Sequence, residues 1–261
     1  MMKTNFHTHT LFSDGSDTPE EIVLQAIALE MDCIGFSDHA YTVFDESYCI
    51  PKDKVQVYID CIAALKEKYK RKINILCGVE QEYYSDYPTD AFDYVIGSVH
   101  YLKIGERYVP VDEDAGLLQK TVKEHFGGDA LAMAECYYQS VSDVARKTHC
   151  DIIGHFDLVS LFNQNNQLFD ESDSRYIAAW QQAADALLAF KKPFEINTRA
   201  YYRGKREVPY PAPAIADYIA SKGGCFVLSS DAHRAAELIN RFDEMQELAK
   251  QKHYRLVGNI K

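Results

Sequence analysis

The chain has 261 residues, of which 47% are hydrophobic and 26% charged, a balance that excludes a disordered chain, a collagen and a coiled coil. Its formal net charge of −11 argues against a wide contact with nucleic acid, because such a contact requires a basic face. No apolar run reaches the ~18–20 residues that cross a bilayer, and the N-terminus lacks the apolar core of a signal peptide. We therefore expect one domain over residues 1–261, without a membrane segment.

Short apolar runs alternate with helix-like segments along the chain. The runs predict seven strands, at 4–6, 33–36, 73–79, 94–99, 152–153, 194–196 and 226–228. The first helix is expected to start after Thr18, because Pro19 and Glu21 complete a capping box with a proline in its preferred place. Further helices are predicted at about 52–70, 114–148 with a break at Gly127-Gly128, 172–190, 211–222 and 235–250, and a loop at 157–171.

The cysteines indicate the compartment. There are seven, an odd number, and none forms a Cys-x-x-Cys pair. Four of them lie in apolar runs, namely Cys33, Cys77, Cys150 and Cys225. This pattern favours buried thiols in a reducing cytoplasm over a disulfide framework or a thiolate zinc site.

The apolar runs are mostly unbroken by polar residues, as expected of parallel strands buried on both faces. Their alternation with helices indicates parallel strands joined by helical crossovers. An open sheet places its active residues at a switch point, whereas a barrel takes them from the C-terminal ends of many strands. Nearly every run here carries a polar cluster at its C-terminal end, which favours a barrel.

Histidines and acids make up these clusters. Six of the nine histidines directly follow an apolar run: His7, His9, His39, His100, His155 and His233. Five acids occupy similar positions: Asp14, Asp38, Glu80, Glu195 and Asp231. A lone histidine at a strand end is usually structural, but a barrel brings all its strand ends to one mouth, so these side chains should converge.

A convergent cluster of imidazoles and carboxylates without thiolates suits a divalent metal such as zinc, manganese or iron(II). His7 and His9 are two residues apart, so both point to the same side of an extended strand and can bind one ion. The cluster has more ligands than one tetrahedral ion needs. We therefore expect two or three ions, with a carboxylate such as Glu80 as a bridge.

Seven motifs in this order resemble the polymerase and histidinol phosphatase (PHP) family. They are His7-Thr8-His9-Thr10 with Ser13-Asp14-Gly15, Ser37-Asp38-His39, Gly78-Val79-Glu80, Gly97-Ser98-Val99-His100, Gly154-His155-Phe156-Asp157, Glu195-Ile196-Asn197-Thr198 and Ser230-Asp231-Ala232-His233. The resemblance implies a metal-dependent phosphoesterase with a distorted (β/α)7 TIM-like barrel and three metal positions. The chain length and the segments Gly-Ser-Val-His-Tyr and Glu-Ile-Asn-Thr-Arg look most like the histidinol-phosphatase branch.

The same resemblance implies the ligand sets. The first metal would take His7, His9, Glu80 and Asp231; the second Glu80, His100 and His155; the third Asp14, His39 and His233. Some members of the family have a histidine at the position of Asp14, so the carboxylate here bears on which metal is preferred.

The implied reaction is the hydrolysis of L-histidinol phosphate, a step of histidine biosynthesis, by a hydroxide that bridges two metals. The leaving alkoxide needs a proton, and the candidates are a second metal-bound water and Asp157. Asp38 and Glu195 are further candidates for orienting ligands or moving a proton. The alternatives are a PHP phosphoesterase acting on another small phosphate ester, a nucleotide or phosphotyrosine, and a metal-binding domain without catalysis.

Basic residues at 199–206 form the densest such cluster after a strand end. Arg199 is expected to grip the substrate phosphate with its forked donors. Arg203 and Arg206 either contact phosphate as well or lie in a solvated loop. Some histidinol phosphatases carry a phosphate-binding arginine shortly after the residue that matches Asp157, and none is present here. Either Arg203 or Arg206 substitutes for it, or the substrate differs.

Acidic residues are candidates for holding an ammonium or imidazole group of the substrate. They are Glu82, Asp157 and the tract Asp112-Glu113-Asp114, for which a solvated surface is the alternative. We expect a small phosphorylated substrate, no nucleic-acid partner, and a monomer or homodimer.

Overall fold

The computed structural model of the protein describes residues 3–260. The strands are β1 (Thr4–Asn5), β2 (Cys33–Phe36), β3 (Asn74–Glu82), β4 (Tyr94–Ser98), β5 (Tyr101–Ile104), β6 (Arg107–Pro110), β7 (Ile152–Ile153), β8 (Phe194–Asn197) and β9 (Phe226–Ser229). The helices are α1 (Pro19–Ala28), α2 (Val55–Tyr69), α3 (Ala115–His125), α4 (Ala130–Thr148), α5 (Ser174–Leu188), α6 (Arg199–Tyr202), α7 (Pro213–Ser221) and α8 (Phe242–Lys252). Within the described residues, no helix is both long and apolar enough to cross a membrane.

Seven parallel strands form one sheet in the order β1-β2-β3-β4-β7-β8-β9. The two outer strands approach each other, because Thr8 and Ala232 form a parallel bridge and the His9 amide donates to the Ala232 carbonyl at 2.8 Å. Helices connect most of the consecutive strands. The sheet is thus a nearly closed barrel, and the predicted (β/α)7 TIM-like fold is confirmed.

The strands of the barrel are buried on both faces, as the unbroken apolar runs predict. Every residue of β2, β4, β8 and β9 is buried. Strand β3 continues three residues beyond its predicted end, because Glu80 and Glu82 still pair with β4, opposite Ile96 and Ser98. The apolar signal stops at Val79 although the ladder does not, so two carboxylates are carried on the strand itself.

The helix predictions are largely confirmed. The capping box is present, with the Glu21 amide donating to Thr18 Oγ1 at 3.3 Å and the Thr18 amide to Glu21 Oε2 at 2.8 Å. The break at Gly127-Gly128 separates α3 from α4, at φ values of 62° and 86° that favour glycine. The last helix was predicted wrongly: residues 235–237 form a 3₁₀ turn, and α8 begins at Phe242, after Arg241 at φ 62°.

A β-hairpin was missed by the sequence analysis. Strands β5 and β6 pair antiparallel around a turn at Gly105, which has φ 60°. The segment leaves the barrel directly after His100, so it is positioned at the C-terminal mouth. The expected loop at 157–171 is confirmed and contains two short 3₁₀ turns, at 158–160 and 164–166.

Tyr94 at the start of β4 is buried and crosses toward the first two strands. Its hydroxyl donates to the carbonyls of Phe6 at 2.5 Å and Phe36 at 3.0 Å, which ties β4 to the first two strands. Gly35 and Gly78 make room for it, since a Cβ at either position would lie 2.4 Å or less from the tyrosine. All seven cysteines lie within the described residues and are free thiols.

Candidate metal centre

The strand ends bring the predicted metal ligands together at one end of the barrel. Their side chains come from β3 and from the segments that follow β1, β2, β4, β7 and β9: His7, His9, Asp14, His39, Glu80, His100, His155, Asp231 and His233. All are buried except Asp14, whose side chain is 34% exposed. The convergence expected from a barrel is therefore present.

Three overlapping groups have ligand atoms that all lie within 4.8 Å of one another: His9, Asp14, His39 and His233; His7, His9 and Glu80; His39, Glu80 and His100. These distances suit side chains that surround an ion. Each group contains only imidazoles and carboxylates, the ligands that zinc, manganese and iron(II) accept.

Glu80 lies at the centre of the cluster, with imidazole nitrogens around both of its oxygens. Oε2 is 3.1 Å from His7 Nε2, 3.1 Å from His39 Nδ1 and 3.5 Å from His9 Nε2, and Oε1 is 2.9 Å from His155 Nε2 and 3.4 Å from His100 Nε2. Burial by itself would raise the pKa of Glu80, but the neighbouring imidazoles lower that pKa well below its usual value. Glu80 is therefore a carboxylate that can bridge ions.

Unpaired buried atoms in the cluster provide a test of whether a metal fits. Several buried atoms of the cluster lie close together but make no hydrogen bond of suitable geometry within residues 3–260. They are His7 Nε2, both ring nitrogens of His9, His155 Nδ1 and Glu80 Oε2. Buried polar atoms are nearly always paired, so a group of unpaired ones needs an explanation. A divalent ion provides it for those atoms that face the cluster, because imidazole nitrogens and carboxylate oxygens are metal donors, and we conclude that the residues fit a metal centre.

Two buried carboxylates each contact the Nδ1 atom of one imidazole, on the side of the ring away from the Nε2 atom that faces Glu80. Glu195 Oε1 lies 2.5 Å from His7 Nδ1, and Glu82 Oε2 lies 3.0 Å from His100 Nδ1. Burial opposes protonation of both rings, yet the pKa of His7 is raised well above its usual value by Glu195, and that of His100 by Glu80. Such carboxylate–histidine pairs fix the orientation of a metal-binding ring.

Glu82 was expected to contact an ammonium or imidazole group of the substrate, and the structure instead places it behind His100. Its side chain is 2% exposed and also accepts the His100 amide at 2.8 Å. The sequence carried a signal for this position, because residues 80 and 82 of an extended strand point to the same side.

The Asp14 group is more open to solvent. Asp14 Oδ2 lies 2.9 Å from His233 Nε2, and Oδ1 lies 3.4 Å from His9 Nδ1 and 3.8 Å from His39 Nε2. Burial would raise the pKa of Asp14, but His39, His233 and His9 hold it far below its usual value. Asp14 is therefore ionised and available to a cation.

Asp231 is held in a less common backbone conformation. It follows β9 at φ 49°, in the left-handed region, which aspartate tolerates better than most residues. Asn197 Nδ2 donates to its Oδ2 at 3.1 Å, and Oδ1 lies 3.3 Å from His9 Nε2. The turn and the amide together aim the carboxylate at the cluster.

Asp38, predicted to orient ligands or move a proton, anchors a loop. It is fully buried and accepts the Thr10 amide at 2.8 Å and the Ser13 hydroxyl at 2.6 Å. Asp38 therefore supports the turn that carries His9 and Asp14.

The basic residues at 199–206 separate into two groups. Arg199 opens α6, donates from Nη1 to the Asp231 carbonyl at 2.8 Å and to His233 Nδ1, and lines a cavity above the cluster together with Arg203 and Lys205. Arg206, expected as a possible phosphate contact, is buried away from that cavity. Its guanidinium lies 3.1 Å from Asp157 Oδ2, which neutralises it.

The cavity has a volume of about 310 Å³. Besides the cluster and Arg199, its lining includes acids and tyrosines that the sequence analysis did not assign or left open: Asp45, Tyr48, Tyr101, Asp112, Glu113 and Tyr210. The acidic tract thus lies in part at the site, although Asp114 instead caps α3 by accepting the Leu117 amide at 2.8 Å. Recognition of the hairpin after His100 would have placed this tract beside the cluster.

Comparison with known families decides the relationship. The PHP domain model matches residues 5–199. The chain belongs to the PHP domain family. The predicted resemblance is confirmed, and the PHP domain extends over most of the barrel described above.

Two curated relatives of this PHP domain are named as probable histidinol-phosphatases. The probable histidinol-phosphatase of Schizosaccharomyces pombe is 27% identical over 236 residues, which cover 82% of this chain and 74% of the relative. The probable histidinol-phosphatase of Deinococcus radiodurans is 28% identical over 256 residues, which cover 93% of this chain and 91% of the relative.

Solved structures share the fold of this PHP domain. A candidate histidinol phosphatase from Listeria monocytogenes superposes with a TM-score of 0.80 at 21% identity, over 93% of this chain and 99% of that one. The histidinol phosphate phosphatase of Lactococcus lactis, complexed with zinc, L-histidinol and phosphate, superposes with a TM-score of 0.70 at 23% identity. The superposition covers 98% of this chain and 95% of that one. At these identities the likeness establishes the barrel fold.

Proposed function

We propose that this PHP domain is a metal-dependent phosphatase that hydrolyses L-histidinol phosphate to L-histidinol and phosphate. The observation that carries the proposal is the buried cluster around Glu80, whose unpaired imidazole and carboxylate atoms lie at the base of a cavity of about 310 Å³. Two relatives that align over most of this chain are named as probable histidinol-phosphatases. The fold neighbour from Lactococcus lactis holds zinc, L-histidinol and phosphate.

We propose two or three divalent ions, of zinc, manganese or iron. The ligand sets are His7, His9, Glu80 and Asp231; Glu80, His100 and His155; and Asp14, His39 and His233. The overlapping groups within 4.8 Å support this arrangement. When bound, such ions neutralise phosphate oxygens and lower the pKa of bound water towards ~7.

The basic and the acidic residues that line the cavity would bind different parts of the substrate. Arg199 would grip the phosphate with its forked donors, while Arg203 and Lys205 add positive charge to the same cavity. Asp112 and Glu113 would attract the cationic end of the substrate, the ammonium or the imidazole group. A cavity with basic and acidic lining suits a small phosphate ester that carries a positive charge.

Asp157 fits poorly as the donor of a proton to the leaving group. Its side chain is fully buried, and Oδ2 already accepts from Arg206 Nη2 at 3.1 Å and from the Ala212 amide at 3.1 Å. We therefore assign Asp157 no contact with the substrate.

The test is the turnover of L-histidinol phosphate against a panel with a nucleotide, a sugar phosphate and phosphotyrosine, on protein of quantified metal content. We expect kcat/KM for L-histidinol phosphate to exceed the others by ~100-fold, about 2.7 kcal/mol of transition-state discrimination. Flat and slow turnover at full metal occupancy would contradict this substrate and leave a phosphatase of another small ester. The Glu80→Gln variant controls for a contaminating phosphatase.

Other expectations stay predictions: a single domain over residues 1–261, a cytoplasmic location, a monomer or homodimer, and the lack of a nucleic-acid partner.

A further inference from the structure

A buried ion pair lies beside the metal cluster without being part of it. Arg206 is 6% exposed, its Nη2 lies 3.1 Å from Asp157 Oδ2, and its guanidinium lies 4.2 Å over the ring of Tyr210. Asp157 Oδ2 also accepts the Ala212 amide at 3.1 Å. The pair therefore fastens the segment 206–212 to the residues that follow β7.

Tyr210 connects this pair to the metal cluster. Its ring lies edge-on to His155, with centroids 6.3 Å apart at 66°, and the residue lines the cavity. Its backbone is fixed by two hydrogen bonds with Asn197, of 2.7 Å and 3.0 Å. One face of the ring thus carries the guanidinium, while the ring itself packs against a proposed metal ligand.

His155 depends on packing more than the comparable histidines do. Glu195 holds Nδ1 of His7, and Glu82 holds Nδ1 of His100. His155 Nδ1, in contrast, is buried and has no hydrogen-bond partner among the described residues. Nε2 of the ring lies 2.9 Å from Glu80 Oε1, and apart from that contact the orientation of the ring depends on packing against His7, His100 and Tyr210.

The pair is poorly suited to a purely stabilising role. Burial of two charges costs desolvation energy that their attraction repays only when their other hydrogen-bonding atoms are also satisfied. Here Arg206 Nη1, Asp157 Oδ1 and Tyr210 Oη are all buried without a hydrogen-bond partner in the described part of the chain. Buried polar atoms that lack partners are expected most often at functional sites.

We propose that Arg206 and Asp157 are positioning residues that act through the ring of Tyr210 to hold His155 in its metal-binding orientation. The inference rests on the proposed function, because His155 is a ligand only there. It assigns Arg206 a task other than phosphate contact, and Tyr210 a task that needs its ring and not its hydroxyl.

The first test compares Tyr210→Leu with Tyr210→Phe. Metal-free protein is titrated with Zn²⁺ in competition with a coloured chelator, without substrate. We expect Tyr210→Leu to bind one zinc equivalent ~10-fold or more weakly, as loss of a ligand's outer support does, and Tyr210→Phe to bind like the unmodified protein. Unchanged affinity in Tyr210→Leu would overturn the proposal, and so would an equal loss in Tyr210→Phe.

The second test removes both charges at once. The double variant Arg206→Met with Asp157→Asn leaves no uncompensated buried charge, and Arg175→Met is the matched control, because Arg175 pairs with Glu135 on the surface. We expect the double variant to weaken the same zinc equivalent ~10-fold, and addition of Tyr210→Leu to cause little further loss, since the residues act along one path. Unchanged affinity in the double variant, or fully additive losses, would contradict the proposal.

These outcomes separate the inference from the function on which it rests. A protein that binds no zinc before mutation refutes the metal centre itself, whereas tight binding that survives these substitutions refutes only the role of Tyr210 and its ion pair. Circular dichroism checks the fold of each variant. If the double variant does not fold, the comparison of Tyr210→Leu with Tyr210→Phe decides alone.

Discussion

The floor and the walls of the cavity are built in different ways. The floor consists of imidazoles and carboxylates carried on, or a few residues beyond, the buried barrel strands, and Glu80 lies at its centre. The walls come from the loop around Tyr48, the hairpin β5–β6 and the segment 199–210, all outside the barrel sheet. The floor is thus fixed by the barrel, and the walls by loops that pack against it.

This difference separates the type of chemistry from the choice of substrate. Strand ends of a barrel converge whatever the loops do, so a ligand set on them can be kept while the loops change. Binding residues on loops adapt more easily, because loops tolerate sequence change. In the proposed function, the floor therefore supplies the metal-dependent reaction, and the walls select a small ester with both a negative and a positive group.

The largest effect is expected on the floor. Glu80→Gln removes the charge that faces five imidazoles, so we expect kcat/KM to fall by well over ~100-fold, more than the loss of an outer support costs, together with a loss of bound metal. The measurement is turnover combined with elemental analysis of the purified protein.

His100→Ala should resemble Glu80→Gln. The matched control is His125→Ala, because His125 is an exposed histidine at the end of α3. Turnover that is unchanged in either floor variant would refute the bridging position of Glu80 or the part of His100 in it.

The sequence predicts the floor much better than its supports. His7, His39 and Glu80 were found because each follows an apolar run. Since the strands of a barrel end at one mouth, residues that follow such runs in the sequence lie together in the structure. Arg206 and Asp157 pair across 49 positions of the chain. No local pattern encodes that contact, so the sequence left the Arg206 guanidinium between a phosphate contact and a solvated loop.

Part of the cavity wall could have been predicted from the sequence. Leu102, Lys103 and Ile104 alternate between apolar and polar residues ahead of the turn at Gly105, and recognition of this hairpin beside His100 would have placed Asp112 at the site. The position of Tyr48 depends on how an irregular loop packs. Its ring lies 4.7 Å from that of His39, a contact that only the folded chain shows.

The support of the floor should give the second largest effect. Glu82→Gln keeps the size of the side chain behind His100 and removes its charge, so we expect metal affinity to fall ~10–100-fold. Chelator competition measures it, with Glu106→Gln in the exposed hairpin turn as the control. If Glu82→Gln instead changed only the preference among substrates, Glu82 would act on the substrate and not on His100.

The basic wall should affect binding more than chemistry. Arg199→Ala removes a charged donor, worth ~1.5–3 kcal/mol, so we expect KM for the phosphate ester to rise about 10-fold or more while kcat changes less. Inhibition by inorganic phosphate should weaken in parallel. Arg203→Ala, at a more exposed side chain, should give a smaller rise, and an unchanged KM in Arg199→Ala would remove this residue from the phosphate site.

The acidic wall should give the smallest effect, and the most informative one about the substrate. Asp112 is half-buried and lines the cavity, whereas Asp114, two residues on, caps α3. Since exposed ion pairs contribute ~0.2–1 kcal/mol, Asp112→Asn should raise KM for L-histidinol phosphate by about 1.4- to 5-fold and leave KM for p-nitrophenyl phosphate unchanged. Asp114→Asn should change neither KM. An equal rise for both esters would mean that Asp112 senses the phosphate or the metals, and the acidic wall would then carry no information about a positively charged substrate.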